Sequence, residues 1–246
     1  MSTTNQNPAR GLNAVRERIR SACKAAGRDP AGIRLLAVSK THSAEKIRAL
    51  VHLGQKSFGE SYLDEALVKL RELDDQDLEW HFIGPLQSNK TRSVAEHFDW
   101  VQSVDRPKLI RRLAEQRPPE RPPLNVLIQV NLDGETQKSG CEPGQIQDLA
   151  NLVGERPELR LRGLMAIPAA REQYSDQVAV FATLRALFDQ LAADHEGIDT
   201  LSAGMSADLE SAIAAGATMV RVGSDLFGPR QNPAGSGESQ APTIAT

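Results

Sequence analysis

Cysteine, aromatic residues and long apolar runs are all scarce in this sequence, and each shortage excludes something. The two cysteines, Cys23 and Cys141, fit neither a disulfide framework nor a zinc spacing and read as ordinary thiols of a reducing compartment. The five histidines are scattered and make no metal-ligand pattern with them, so no metal is expected. Only two tyrosines are present to serve as acid–base phenols, Tyr62 after a strand end and Tyr174 in a polar loop before a helix. No apolar run is long enough to span a bilayer, and the opening "MSTTNQNPARG" has no apolar segment of the secretory kind. A basic excess is also missing. The net charge is -3, which speaks against a nucleic-acid partner. Nucleophile elbow, Walker loop and GxGxxG are absent. The expectation is a cytoplasmic protein with no membrane, nucleic-acid or metal partner.

What is there is an alternation. The chain has 246 residues, 40% of them hydrophobic, enough for one sizeable core. Leu12, Val15, Ile19, Ala22 and Cys23 recur at helical spacing. The strand "IRLLAVSK" follows, then a helix from Ser43 as N-cap to Gly54. Strand signals recur at "SFGE", "EWHFIG", "WVQSVD", "LNVLIQVNL", "LRGLMAI", "TLSAGMS" and "TMVRVGSDLFG", with helical segments between them. About eight strands alternating with helices predict a (β/α)8 TIM barrel, with a doubly wound open sheet as the other solution. The strands are apolar on both parities, as for a sheet buried on both faces. The absence of an internal linker predicts a single domain over 8–230. The small and polar residues of 231–246 read as a flexible tail.

In a barrel, chemistry sits where strands end. The polar residues at those ends are Lys40, Glu60, Ser61, His81, Asp105, Asn131, Ser206 and the run Arg221–Ser224. Lys40 shares the parity of Leu36 and Val38, which points it into the barrel mouth. It reads either as a lysine reaching out to water or as an amine of lowered pKa, near a cation such as Arg221, that attacks an aldehyde. Ser206 reads as an N-cap, a position that also suits an anion. Gly223 reads as a tight loop or as backbone that lets a phosphate approach. Ser206 and Gly223–Ser224 follow the last two strands, where barrels often hold phosphate. His81, inside a strand, reads as a satisfied core histidine. "LVKLRELDDQDLE" reads as a solvated helix face.

Taken together, "LLAVSKTH", "FGESYLDE", "HFIGPLQSNK", "VLIQVNLDGETQKSG", "LRGLMAIP", "LSAGMSADLESAIAAG" and "MVRVGSDLFG" resemble the pyridoxal 5'-phosphate homeostasis protein family. The segments stand in the family's order from Ile33 to Gly228. The resemblance implies the barrel of the alanine racemase N-terminal domain and the cofactor pyridoxal 5'-phosphate. It implies that Lys40 is the lysine of the internal aldimine, Ser206 the phosphate-binding serine, and Gly223 with Ser224 the phosphate-binding turn. Arg221 matches the arginine that faces the pyridine nitrogen. Ser61 stands where the family commonly has asparagine near the ring, and Ala203 and Ala207 replace larger or acidic residues. Racemases of this fold take an opposing tyrosine from a partner's second domain, and this chain ends with the barrel. The expectation is therefore a non-catalytic protein that holds the cofactor in vitamin B6 homeostasis. It would act as a monomer, with cofactor-dependent apoenzymes as recipients and Lys138 as a second, transient site. An amino-acid racemase, a cofactor-free Schiff-base aldolase on a phosphosugar, and a regulator using the cofactor as a signal are the alternatives.

Overall fold

The computed structural model describes residues 8–228 except 136 and 138. Lys138, the end of the expected domain at 229–230 and the expected tail at 231–246 lie outside the described residues.

Eight parallel strands close into a barrel in sequence order, the last pairing with the first. They are β1 (Arg34–Val38), β2 (Ser57–Glu60), β3 (Glu79–Phe82), β4 (Trp100–Val104), β5 (Leu124–Val130), β6 (Leu159–Ala166), β7 (Thr200–Ser202) and β8 (Met219–Val222). The helices are α1 (Pro8–Ala25), α2 (Ala44–Val51), α3 (Leu63–Glu72), α4 (Thr91–His97), α5 (Pro107–Gln116), α6 (Ile146–Gly154), α7 (Tyr174–Asp194), α8 (Leu209–Ala214) and α9 (Ser224–Phe227). Leading helix α1 buries Leu12, Val15, Ile19, Ala22 and Cys23, the stripe its periodicity predicts, and packs on α8, α9 and α2.

The main apolar core lies between the barrel wall and its helices. The barrel interior differs from the expected apolar filling. A small cluster of Trp100, Leu127 and Met165 lies apart from that core. Beside it stands a column of polar side chains. His81 stacks on Trp100 at 5.1 Å, and the guanidiniums of Arg34 and Arg162 lie 5.1 and 5.0 Å from the same ring. Gln102 of β4 accepts from Ser202 of β7 at 2.7 Å. Those strands are not neighbours, so the bond crosses the barrel. Periodicity reports which faces are shielded from water, and a polar group bonded inside a barrel is shielded too.

Four further expectations are corrected. Lys40 is not on the strand: β1 stops at Val38, and Lys40 lies in the turn that follows. The segment after β8 is the short helix α9 rather than a loop. Tyr174 opens α7 instead of preceding it in a loop. Within the stretch read as a solvated face, Lys69 is only 5% exposed.

Candidate functional site

Where the strands end, the chain encloses a cavity of about 280 Å³. The six residues that the resemblance marks out line it, namely Lys40 after β1, Ser61 after β2, Ser206 after β7, and Arg221, Gly223 and Ser224 at the end of β8, whereas the other strand-end candidates Glu60, His81, Asp105 and Asn131 do not. Val38, Ile83, Ile167 and Met205 supply apolar walls. His42 also lines the cavity, stacked on Phe227 with ring centroids 4.8 Å apart. Sequence reasoning passed over it, although its place two residues after Lys40 in "SKTH" was the available signal.

Each wall is held by local structure. Ser39, just before Lys40, is fully buried and its hydroxyl donates to Glu60 Oε1 at 2.6 Å. Thr41, just after, takes φ = 67°, the one positive φ of a non-glycine residue among the described residues. Ser61 is backed by Gly84, where a Cβ would stand 2.2 Å from the Ser61 carbonyl oxygen. Only a residue without that atom allows so close an approach.

Ser206 is not the cap of α8, as expected. Asp208 holds that position, with its carboxylate accepting from the Met205 N–H at 2.6 Å. Ser206 lies in the turn before it, and its carbonyl accepts from Arg18 Nη2 at 2.8 Å. Gly223 is the N-cap residue of α9 and Ser224 its first helical residue. A Cβ on Gly223 would meet the Val38 carbonyl at 3.2 Å.

Arg221 is 3% exposed. Its Nη1 donates to Ser202 Oγ at 2.7 Å and its Nη2 to the Ala166 carbonyl at 2.8 Å. Burial pushes its pKa down to about 10, so it stays a cation at neutral pH. It forms no ion pair among the described residues, and no lining residue of the cavity is acidic. A buried cation without a carboxylate is costly unless something anionic or electron-rich meets it.

Behind Arg221 the column continues inward. Ser202 donates to Gln102 Oε1, Gln102 Nε2 lies 2.9 Å from His81 Nδ1, and His81 Nε2 lies 2.7 Å from Glu79 Oε1. Burial pushes the His81 pKa down, against the pull of Glu79. Burial pushes Glu79 up, but the hydrogen bond from His81 and the charge of Arg34 work against it, and Glu79 is held at about 2. Glu79 is thus an acceptor, so neutral His81 carries its proton on Nε2 and accepts at Nδ1. His81 is a satisfied core histidine and does not line the cavity.

The donor set fits an aldehyde-bearing, phosphorylated heteroaromatic molecule. An amine, a donor-only guanidinium and three serines surround a cavity with apolar walls and no carboxylate. No group of three or more metal-ligating side chains is found among the described residues.

Residues 11–231 match the family model of the alanine racemase N-terminal domain. The chain is 56% identical over 230 residues to a pyridoxal phosphate homeostasis protein of Pseudomonas aeruginosa, covering 94% of this chain and 97% of that one. It is 52% identical over 225 residues to the protein of that name from Escherichia coli, covering 90% and 96%. Among solved structures, PipY of Synechococcus elongatus with pyridoxal phosphate bound has a TM-score of 0.76 at 36% identity, covering 87% of this chain and 100% of that one. Alanine racemase of Corynebacterium glutamicum has a TM-score of 0.65 at 19% identity, covering 94% of this chain and 64% of that one, and shares the fold.

Proposed function

The chain belongs to the pyridoxal phosphate homeostasis proteins, built on the alanine racemase N-terminal domain, and on that basis we propose how it holds the cofactor. Its function is to bind pyridoxal 5'-phosphate and take part in vitamin B6 homeostasis. Lys40 is the attachment point, and Ser61, Ser206, Arg221, Gly223 and Ser224 surround the bound molecule. The observation that carries this assignment is the convergence of all six residues, from the ends of β1, β2, β7 and β8, on one cavity without an acid.

When bound, pyridoxal phosphate supplies an aldehyde for a primary amine, a dianionic phosphate and a ring that can act as an electron sink. Lys40 supplies the amine, half-buried and in a cavity that also holds the Arg221 cation. Ser206, Ser224 and the backbone at Gly223 would hold the phosphate. Arg221 offers only N–H donors, so a ring nitrogen held against it would stay unprotonated and the electron sink would be weak.

The protein stores and hands on the cofactor without robust turnover of its own. Stereochemical inversion at carbon needs acid–base groups on both faces. Tyr62 is 55% exposed and Tyr174 57% exposed, and neither lines the cavity. Cofactor-dependent apoenzymes are the recipients, the working form is a monomer, and the compartment is the cytoplasm.

The test is the absorption spectrum of purified protein given pyridoxal phosphate, before and after borohydride. The wild type is expected to show a near-visible band that borohydride abolishes while leaving the cofactor covalently attached at Lys40, and Lys40→Ala to show none. A colourless wild type overturns the site, and an aldolase using the same lysine becomes the better reading. Rapid racemisation of alanine or another amino acid would overturn the storage role.

A further inference from the structure

Lys69 stands one helix away from the cavity and is among the most enclosed charges in the protein. A Glu–Lys pair four residues apart on a helix is ordinarily a surface feature worth a few tenths of a kcal/mol. Here the lysine is 5% exposed. Its ammonium has three protons to donate, and it meets three acceptors: the Ser39 carbonyl at 2.8 Å, Glu60 Oε1 at 2.7 Å, and Glu65 Oε1. Ser39 also donates its hydroxyl to Glu60 at 2.6 Å. Glu65 accepts the Thr41 N–H at 2.6 Å. The cluster therefore grips the residue before Lys40 and the residue after it.

Stability does not explain such a cluster. A buried ion pair gains little over apolar groups of the same volume, because removing the charges from water costs about as much as their attraction returns. The backbone it grips is itself unfavourable. Thr41 is β-branched and sits at φ = 67°, a conformation that persists only where its surroundings enforce it. Glu65 binds the N–H of that residue.

We infer that Lys69, Glu65 and Glu60 are positioning residues for Lys40, holding the left-handed turn at Thr41 so that the lysine side chain enters the cavity. This rests on the assignment of Lys40 as the cofactor lysine. Without the carboxylate at Glu65, Thr41 relaxes to a negative φ and the turn carries Lys40 away from the cavity.

The experiment is a pyridoxal phosphate titration of the full chain, read by near-visible absorbance. The variants are wild type, Glu65→Ala, Glu65→Gln, Thr41→Gly and Thr41→Gly/Glu65→Ala, with circular dichroism and thermal unfolding as checks on folding. Glu65→Ala is expected to weaken uptake by about tenfold, the scale of one left-handed residue losing its support. Glu65→Gln keeps a carbonyl oxygen for Thr41 and loses less. Glycine takes a positive φ without strain, so Thr41→Gly/Glu65→Ala regains most of the loss, a rescue that a purely stabilising role for Glu65 would not produce. Should Glu65→Ala not fold, Lys69→Gln with and without Thr41→Gly carries the same comparison. Uptake by Glu65→Ala within twofold of wild type, or a loss that Thr41→Gly leaves in place, overturns the inference alone. A wild type that takes up no pyridoxal phosphate overturns the cofactor assignment as well.

Discussion

At the residue scale, close approach sets the cavity wall. Gly84 follows β3, and its missing side chain lets the backbone of Ser61 lie against it. In Gly84→Ala the new methyl would stand 2.2 Å from the Ser61 carbonyl oxygen and 2.8 Å from its Cα, and neither atom can move without moving the wall. Overpacking of this kind costs about 1–3 kcal/mol. Gly84→Ala is expected to lower the thermal midpoint and to weaken pyridoxal phosphate uptake together, as calorimetry and absorbance titration would show. Ser61 stood out in the sequence as a strand-end residue, and Gly84 lies in the segment "HFIGPLQSNK". That one exists to make room for the other was not legible, because the contact joins two different loops.

At the scale of elements, α1 is the part that a bare barrel would not need. Arg18 on α1 chelates Glu210 of α8 through Nε and Nη2 at 2.7 and 2.9 Å, and reaches Asp225 of α9 at 2.6 Å and the Ser206 carbonyl at 2.8 Å. The bond to Glu210, outweighing burial, raises its pKa further. One guanidinium thus ties the turn that carries Ser206 to the helix that begins at Ser224. Its side chain is 33% exposed, so the ion pairs are partly screened. Arg18→Met is expected to cost only about 1 kcal/mol of stability. It should weaken pyridoxal phosphate uptake several-fold while leaving attachment at Lys40 possible. A variant whose uptake matches the wild type in the titration would show that α1 merely covers the barrel. Periodicity predicted α1 and its buried stripe. The reach of Arg18 was invisible, since its partners lie 188 to 207 residues away.

At the scale of the whole molecule, the polar column runs through the barrel from Arg34 and Glu79 to Arg221 at the cavity. It makes stability depend on pH. The folded state depresses His81, so the unfolded chain binds the proton more readily, and stability falls as pH drops through about 6.5. Glu79, held at about 2, adds a second loss as pH falls from the ordinary glutamate value towards that figure. Glu60 acts with the opposite sign. Burial, against the charge of Lys69, raises its pKa, and the stability it contributes at low pH is lost as pH rises through the folded value. Below pH 6.5 the histidine lowers stability, with a slope of at most about 1.4 kcal/mol per pH unit for its one proton. Denaturant unfolding across that range should show the slope in the wild type and a flatter line in His81→Gln. Equal slopes would mean that the buried imidazole does not control acid stability.

The sequence by itself determined the barrel and six of the residues that line its cavity. Strand and helix periods follow from local burial, and polar residues at strand ends gather at one mouth because parallel strands all point the same way. The filling of that barrel was decided only in the tertiary structure. A buried polar side chain is acceptable wherever distant partners satisfy it, and nothing local records who those partners are. So Lys69 looked like a solvated charge until Ser39, Glu60 and Glu65 closed around it. His81 and Gln102 looked like separate strand residues until the barrel joined them across its axis to Ser202 and Arg221.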